Sequence, residues 1–440
     1  MDDNPLLHRT KKKMLNVAGS WLKNNVNFLT PNKSVPLWAH LWVTRRCNLR
    51  CKYCYVYDDH YPELSTNDMK RAIRHIKNEL ECNLIAIMGG EPLVRRDIVE
   101  LVAYMSAENI FSFMTTNGLL LKDKMIYNLM EADLNFLEIS LDSMGENNVS
   151  KKTGVKLMPI IERVDEFSKI YNTEISINMV LTKQNYRDVD HVIRFLAGKN
   201  ISLTIGLYIP DPTDPEGLMS DPLAFTSKAD LALLREIEKH ILRLKRMGAF
   251  IAMDSSYFRQ WESFMRQLVQ NSVSSKPIKP LWRCKPGLDF IEIDADGRIR
   301  YCSYLNSHVS PKLTIFDLKK DYYREMKHRF EETVDQCNGK CLANCFYQVA
   351  NIKKHPLRFA RQVGFRHFQH YWDRKFDPSV NLSRYERRNQ FVAQLGPPKV
   401  VEILRSMPSE ELGSAGIENE SLVIRPSKRT ESMDEKNQRL

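Results

Sequence analysis

Long apolar runs are missing from this chain of 440 residues. No stretch of about 18 consecutive apolar residues occurs, so the sequence predicts no transmembrane helix. The amino terminus, residues 1–5, carries acids and lacks the basic-then-apolar layout of a signal peptide. We therefore expect a cytoplasmic protein. In that compartment nine cysteines indicate metal or redox chemistry rather than disulfides.

Composition sets only broad limits. The chain is 43% hydrophobic, which is enough for a sizeable core and for two to three domains, or one large domain with extensions. The net charge of +11 would suit nucleic acid, a membrane surface or an acidic substrate. Because the excess is spread widely, it selects none of them, and no recognisable RNA-binding pattern accompanies it. We regard nucleic acid as an improbable partner.

Three cysteines at C-x3-C-x2-C spacing follow an apolar run at 37–43, which reads as a strand. They are Cys47, Cys51 and Cys54. A four-iron cluster normally takes four thiolates, so three in one tight loop leave one iron open for a small molecule. A structural zinc site is the alternative, although zinc prefers two C-x2-C pairs or cysteine with histidine.

Strand and helix patterns alternate after this loop, which predicts βαβ units and a parallel sheet. The predicted strands are 37–43, 84–88, 111–115, 135–141, 174–181 and 201–208. The predicted helices are 66–80, 97–107, 122–131, 155–171 and 187–198, with further helices at 226–247 and 255–270. Six such units form a partial (β/α)6 barrel with its chemistry at the carboxyl ends of the strands.

The cysteine spacing resembles the signature of the radical S-adenosylmethionine (SAM) enzymes, in which an aromatic residue such as Tyr53 precedes the third cysteine. The loop after the second strand, Gly89-Gly90-Glu91-Pro92, resembles the GGEP motif of the same enzymes, which pairs with the SAM ammonium. Its two glycines also let the backbone approach a ligand closely. The resemblance extends to polar residues at the ends of strands three to five, which would line the SAM pocket, although each also suits an ordinary strand-end cap or turn. These residues are Asn117, Ser140, Asp142 and Asn178.

A second cysteine group begins at Cys284, and two alternating segments around Asp296-Gly297 predict a β-hairpin. The group resembles the auxiliary-cluster domains called SPASM or, when short, twitch, although it has five cysteines instead of seven. The resemblance implies one auxiliary 4Fe-4S cluster, either closed for electron transfer or open to substrate, with a structural zinc as the alternative. Its ligands would come from Cys284, Cys302, Cys337, Cys341 and Cys345. Cys82 is most simply a buried thiol.

The resemblance implies an α/β fold, a partial (β/α)6 TIM-like radical SAM barrel followed by a small cysteine-rich SPASM/twitch-like α+β extension. It also implies an enzyme that reductively cleaves SAM at a 4Fe-4S cluster. The resulting 5′-deoxyadenosyl radical would take hydrogen from a substrate, with an electron donor such as flavodoxin or ferredoxin. Lipid or isoprenoid tailoring, other small-molecule chemistry and peptide maturation stay open, as does a non-catalytic zinc-binding scaffold.

The chain divides into six predicted segments. The first and fifth are basic and amphipathic or aromatic, so a peripheral membrane contact is an alternative to packing for both. A phosphate-bearing substrate is a further alternative for the fifth. The segments are an extension at 1–35, the barrel at 36–215, a helical bridge at 216–280, the auxiliary-cluster domain at 281–350, a basic aromatic helix region at 351–395 and a disordered tail at 396–440.

Overall fold

The structure is a computed structural model, and it describes residues 36–147, 149–171, 173–199, 201–210, 215–274, 290–300, 309–319, 328, 341–343 and 347. Six parallel strands stand in the order β6-β5-β4-β3-β2-β1. The predicted partial (β/α)6 barrel is confirmed. The strands are β1 Trp38–Thr44, β2 Leu84–Gly89, β3 Phe111–Thr116, β4 Phe136–Ser140, β5 Glu174–Leu181 and β6 Ile201–Leu207.

Helices connect these strands and follow the last of them, close to the predicted bounds. They are α1 Thr66–Asn78, α2 Ile98–Ala107, α3 Asp123–Glu131, α4 Gly154–Ile170, α5 Val189–Leu196, α6 Pro215–Ser220, α7 Lys228–Met247, α8 Ser255–Phe258 and α9 Trp261–Ser274. The helix predicted at 255–270 is two helices. The Glu238 carboxylate on α7 accepts a 2.8 Å hydrogen bond from the Glu262 amide, which caps the start of α9 and separates it from α8.

Three later strands continue the same sheet beyond β1. They are β7 Phe290–Ile293, β8 Arg298–Arg300 and β9 Val309–Thr314. β7 pairs with β1 in parallel and with β8 in antiparallel orientation, which confirms the predicted hairpin. Gly297 has φ +85° in its turn, a conformation that favours glycine. The hairpin therefore extends the barrel's sheet beyond β1.

The two faces of the barrel sheet differ in burial. On β4, Leu137 and Ile139 are fully buried in the hydrophobic core, whereas Phe136 and Glu138 on the opposite face are half-buried. We call this opposite face, turned away from the helices, the inner face. Its side chains on β3 and β4 retain some accessible area.

Several predicted elements lie outside the described residues. These are Cys284, Cys302, Cys337 and Cys345, and the segments 1–35, 351–395 and 396–440. In the described part of the chain, no helix has both the length and the apolar character needed to cross a bilayer.

Candidate SAM and iron–sulfur site

The cysteine loop leaves the carboxyl end of β1. Cys47 and Cys51 are partly buried and Cys54 is exposed. The Cys47 Sγ accepts a 3.4 Å hydrogen bond from the Leu49 amide, and the Cys51 Sγ donates to the Ser150 Oγ at 3.7 Å. Burial raises the pKa of the Cys47 thiol, and the charges of Glu91, Cys54 and Cys51 add to the rise. The three thiols therefore lie close enough to influence one another electrostatically.

This donor set fits an iron–sulfur cluster. Across the described ranges, no three histidine, cysteine, aspartate or glutamate side chains form a group that would hold a single metal ion. An iron–sulfur cluster does not need its ligands to converge on one ion, because each thiolate binds its own iron. Three neighbouring thiols on one loop meet that requirement.

Two glycines allow the end of β2 to pack closely against the backbone of the cysteine loop. A Cβ on Gly89, whose φ is +147°, would lie 2.1 Å from the Thr44 carbonyl oxygen, and one on Gly90 would lie 2.3 Å from that of Arg46. The Gly90 amide donates to the Thr44 carbonyl at 2.9 Å. The sequence predicted that these glycines admit a ligand; in the structure they admit the backbone of the cysteine loop.

Glu91 ties the end of β2 to the end of β3. Its side chain is fully buried and accepts hydrogen bonds from the Thr116 hydroxyl at 2.6 Å, the Asn117 amide at 2.7 Å and the Leu93 amide at 3.1 Å. Burial raises its pKa even though all three hydrogen bonds oppose the rise. Pro92 follows as the first residue of a short 3-10 helix. The predicted contact of Glu91 with the SAM ammonium stays a prediction.

Asn117 brings the end of β3 to the cysteines. Its Nδ2 donates to the Asn48 Oδ1 at 2.7 Å and lies 4.0 Å from the Cys47 Sγ. Ser140 and Asn178 are direct neighbours in the register of β4 and β5. The Asn178 Oδ1 is buried and accepts no hydrogen bond from the described residues. The predicted polar residues thus share one edge of the sheet, as parallel strands require.

Asp142 forms a buried charged group with two partners. Its Oδ2 accepts from the Tyr53 hydroxyl at 2.5 Å and lies 3.1 Å from the Lys152 Nζ, while its Oδ1 accepts from the Val180 amide at 3.1 Å. Burial lowers the Lys152 pKa, but the charges of Asp142, Tyr53 and Cys51 outweigh it and hold the pKa well above the ordinary value. Sequence reasoning missed Lys152, because nothing in its pattern separates it from the exposed Lys151 beside it.

Two arginines fix the base of the cysteine loop, and sequence reasoning missed both roles. Arg46 makes two hydrogen bonds to Glu63, at 2.9 and 3.0 Å. Arg45 reaches Asp294, which also accepts from Arg300 at 2.8 Å. Burial would raise the Asp294 pKa, yet the two guanidinium groups hold it below its usual value. The partners stand up to 249 positions apart in sequence, and no local pattern reveals such a pair.

The other cysteines divide into two cases. Cys82 is buried, as predicted, and its thiol donates to the Leu84 carbonyl at 3.3 Å. Cys341 is also buried, and its Sγ accepts from the Ala343 amide at 3.2 Å. Since its four predicted co-ligands lie outside the described residues, the auxiliary cluster stays a prediction.

Comparisons with known proteins concern the family and the fold. The family model of the Radical SAM superfamily matches residues 42–196. A probable GTP 3′,8-cyclase of Saccharolobus islandicus is 29% identical over 293 residues, which cover 64% of this chain and 87% of the relative. The GTP 3′,8-cyclase of Staphylococcus epidermidis is 27% identical over 325 residues, covering 69% and 91%. Streptococcus suis SuiB, solved bound to the precursor peptide SuiA, aligns with a TM-score of 0.52 at 18% identity over 69% of this chain and 68% of SuiB, a likeness of fold.

Proposed function

We propose that Cys47, Cys51 and Cys54 of this radical SAM enzyme hold the 4Fe-4S cluster with which the superfamily uses SAM. Held by these three thiols, the cluster together with SAM would supply radical chemistry that removes hydrogen from a substrate. The observation that carries the proposal is the packing of the cysteine loop. The ends of β2 and β3 both contact it, through Gly90 and Asn117. Such support holds three thiols in place before any ligand arrives.

The SAM site is formed by strand ends one to five. Gly89, Gly90, Glu91 and Pro92 form its wall on the β2 side. Asn117, Ser140, Asp142 and Asn178 continue it across β3 to β5, and Tyr53 joins it from the cysteine loop through Asp142. We add Lys152, a buried cation whose charge reaches Cys51. Its ion pair with Asp142 compensates a buried carboxylate and holds it at the edge of the SAM site.

A small molecule is the first candidate substrate class. Sequence similarity of 27–29% to GTP 3′,8-cyclases spans most of the chain, whereas the likeness to SuiB concerns the fold. Peptide maturation and lipid tailoring are the alternatives, and a zinc-binding scaffold is the non-catalytic one. An auxiliary cluster on the second cysteine group and a flavodoxin or ferredoxin as electron donor belong to the same proposal.

The test is an anaerobic reconstitution of the full chain. Iron, sulfide and zinc are counted, and 5′-deoxyadenosine is assayed with dithionite and SAM, alone and with GTP. The parent should bind about eight irons with the auxiliary cluster, or about four without it, and it should release 5′-deoxyadenosine. Replacing Cys47, Cys51 and Cys54 together by alanine should abolish release, whereas Cys82→Ala should keep it. Zinc without SAM cleavage in the parent would overturn the enzymatic proposal.

A further inference from the structure

Glu138 is an acidic side chain on the inner face of β4. The residues on either side of it, Leu137 and Ile139, point into the hydrophobic core, so the alternation of the strand sends Glu138 the other way. It is paired in register with Thr115 on β3 and Ser176 on β5. It precedes Ser140 by two positions, which places it about 7 Å further into the barrel than the proposed SAM layer.

The Glu138 carboxylate has almost no partner within the described protein. Its Oε2 accepts one long hydrogen bond, at 3.3 Å, from the Thr115 hydroxyl. Burial raises its pKa to about 7, and the Thr115 hydrogen bond is the one influence that opposes the rise. No described charged side chain contributes to that pKa. A carboxylate in such surroundings gains from any donor that a ligand brings.

The surroundings of Glu138 are flat and apolar on the side away from the SAM layer. Phe113 and Phe136 stack with ring centroids 4.7 Å apart and an interplanar angle of 14°. Trp38 meets Phe113 edge-on at 5.5 Å. Phe113 and Phe136 occupy the register positions next to Thr115 and Glu138 on the same face. They offer a surface on which a planar group stacks or over which a cation sits.

We propose that Glu138 is the substrate-recognition residue of the barrel, and that the substrate presents a nitrogen-bearing hydrogen-bond donor to it beside the Phe113–Phe136 ring pair. An ammonium group and the N–H edge of a nucleobase share this chemistry. The inference rests on the proposed function, because it assumes that substrate enters the barrel beneath SAM. The inference specifies a chemical group of the substrate, a nitrogen-bearing donor, which the cysteine loop does not determine.

The test is equilibrium binding to the reconstituted full chain with SAM present. Guanosine supplies a base edge, phenethylammonium supplies an ammonium on a flat apolar body, and 2-phenylethanol is the neutral match of the second probe. At least one nitrogen-bearing probe should bind the parent, and the alcohol should bind at least about tenfold more weakly than phenethylammonium if the ammonium is the preferred group. Whichever nitrogen-bearing probe binds identifies the source of the donor.

Two variants and one control assign the effect to the carboxylate. Glu138→Gln should lower the affinity for the probe that binds the parent by about tenfold or more, and Glu138→Asp should recover part of that affinity. Glu146→Gln, at an exposed acid, should leave binding unchanged. Thermal melting of each variant shows whether it folds, and the Asp variant keeps the test decisive if the Gln variant does not. Failure of both nitrogen-bearing probes, or equal binding to the Gln variant, would overturn the inference.

The outcomes also separate this inference from the proposed function. Release of 5′-deoxyadenosine by the parent without any Glu138-dependent binding removes the inference alone. Glu138-dependent binding without SAM cleavage removes the enzymatic proposal and leaves a ligand site in the barrel.

Discussion

Replacing Gly90 by alanine tests whether the cysteine loop rests on the end of β2. The added Cβ would lie 2.3 Å from the Arg46 carbonyl oxygen and 2.5 Å from that of Arg45, about 1 Å inside normal contact. Neither oxygen belongs to a flexible side chain, and Arg46 is held by Glu63. Overpacking against rigid atoms costs about 1–3 kcal/mol or more, and we expect at least about 2 kcal/mol here.

The assay combines thermal melting with an iron count after anaerobic reconstitution. A loss of about 2 kcal/mol should lower the melting temperature by about 4–8 °C if the barrel unfolds as one unit. Iron binding at the first cluster should fall as the loop shifts. Gly145→Ala is the matched control, because a Cβ there meets nothing within 4 Å. Both substitutions restrict the unfolded chain equally, so their difference isolates the clash.

One result would refute the reasoning. If Gly90→Ala melts within about 1 °C of Gly145→Ala and binds the same iron, the loop does not depend on this contact. The glycine would then line the SAM site without supporting the cysteine loop.

Three further predictions concern charged groups. Lys152→Met should raise the SAM dissociation constant about tenfold or more, measured by calorimetry, while Lys151→Met at its exposed neighbour should not. The pKa of Glu138 in the folded protein lies above its ordinary 4.5, so ionisation of this carboxyl destabilises the fold as pH rises towards about 7. Glu138→Gln should therefore be more stable than the parent by on the order of 1–3 kcal/mol between about pH 5 and pH 7, measured by denaturant melts. Asp294→Asn should cost about 3–5 kcal/mol by leaving two guanidinium groups without their carboxylate, against less than about 1 kcal/mol for Asp59→Asn in an exposed pair. Since the Asp294 pKa is depressed, the stability that this carboxylate contributes should disappear as pH falls through the carboxylate range. Equal losses in Asp294→Asn and Asp59→Asn would contradict the role given to Asp294.

The barrel was predictable because its elements carry strong local signals. In β4 the apolar Leu137 and Ile139 alternate with residues of the inner face, and in α1 Ser65 caps a helix whose buried face includes Met69, Ile73 and Ile76. These patterns depend on neighbours a few positions away, which a single sequence shows directly. The break between α8 and α9 was not predicted, because its cause is a carboxylate on another helix.

The placement of the candidate site residues at the strand ends was predictable from the motif spacing, whereas their binding of a cluster or of SAM stays a prediction. The cysteine triplet and the residues at the ends of β2 to β5 fall where the motifs place them, since parallel strands end at one edge. Lys152 was missed because its meaning comes from Asp142 and Tyr53, which the fold brings to it. The Arg45–Asp294 contact was missed for the same reason. Such contacts become visible only when the sheet order is known.

The placement of β7 beside β1 has a consequence for synthesis of the chain. A nascent chain that has reached residue 280 contains the cysteine loop and all six barrel strands, yet β1 still lacks its neighbour on one side. Its open edge exposes unpaired backbone groups and invites pairing with other chains. Arg45 is also without Asp294 until that residue has been made. β7 and Asp294, which are made late, thus complete the support of β1 and its cysteine loop, which are made early. Truncations before β7 should aggregate rather than yield a smaller working barrel.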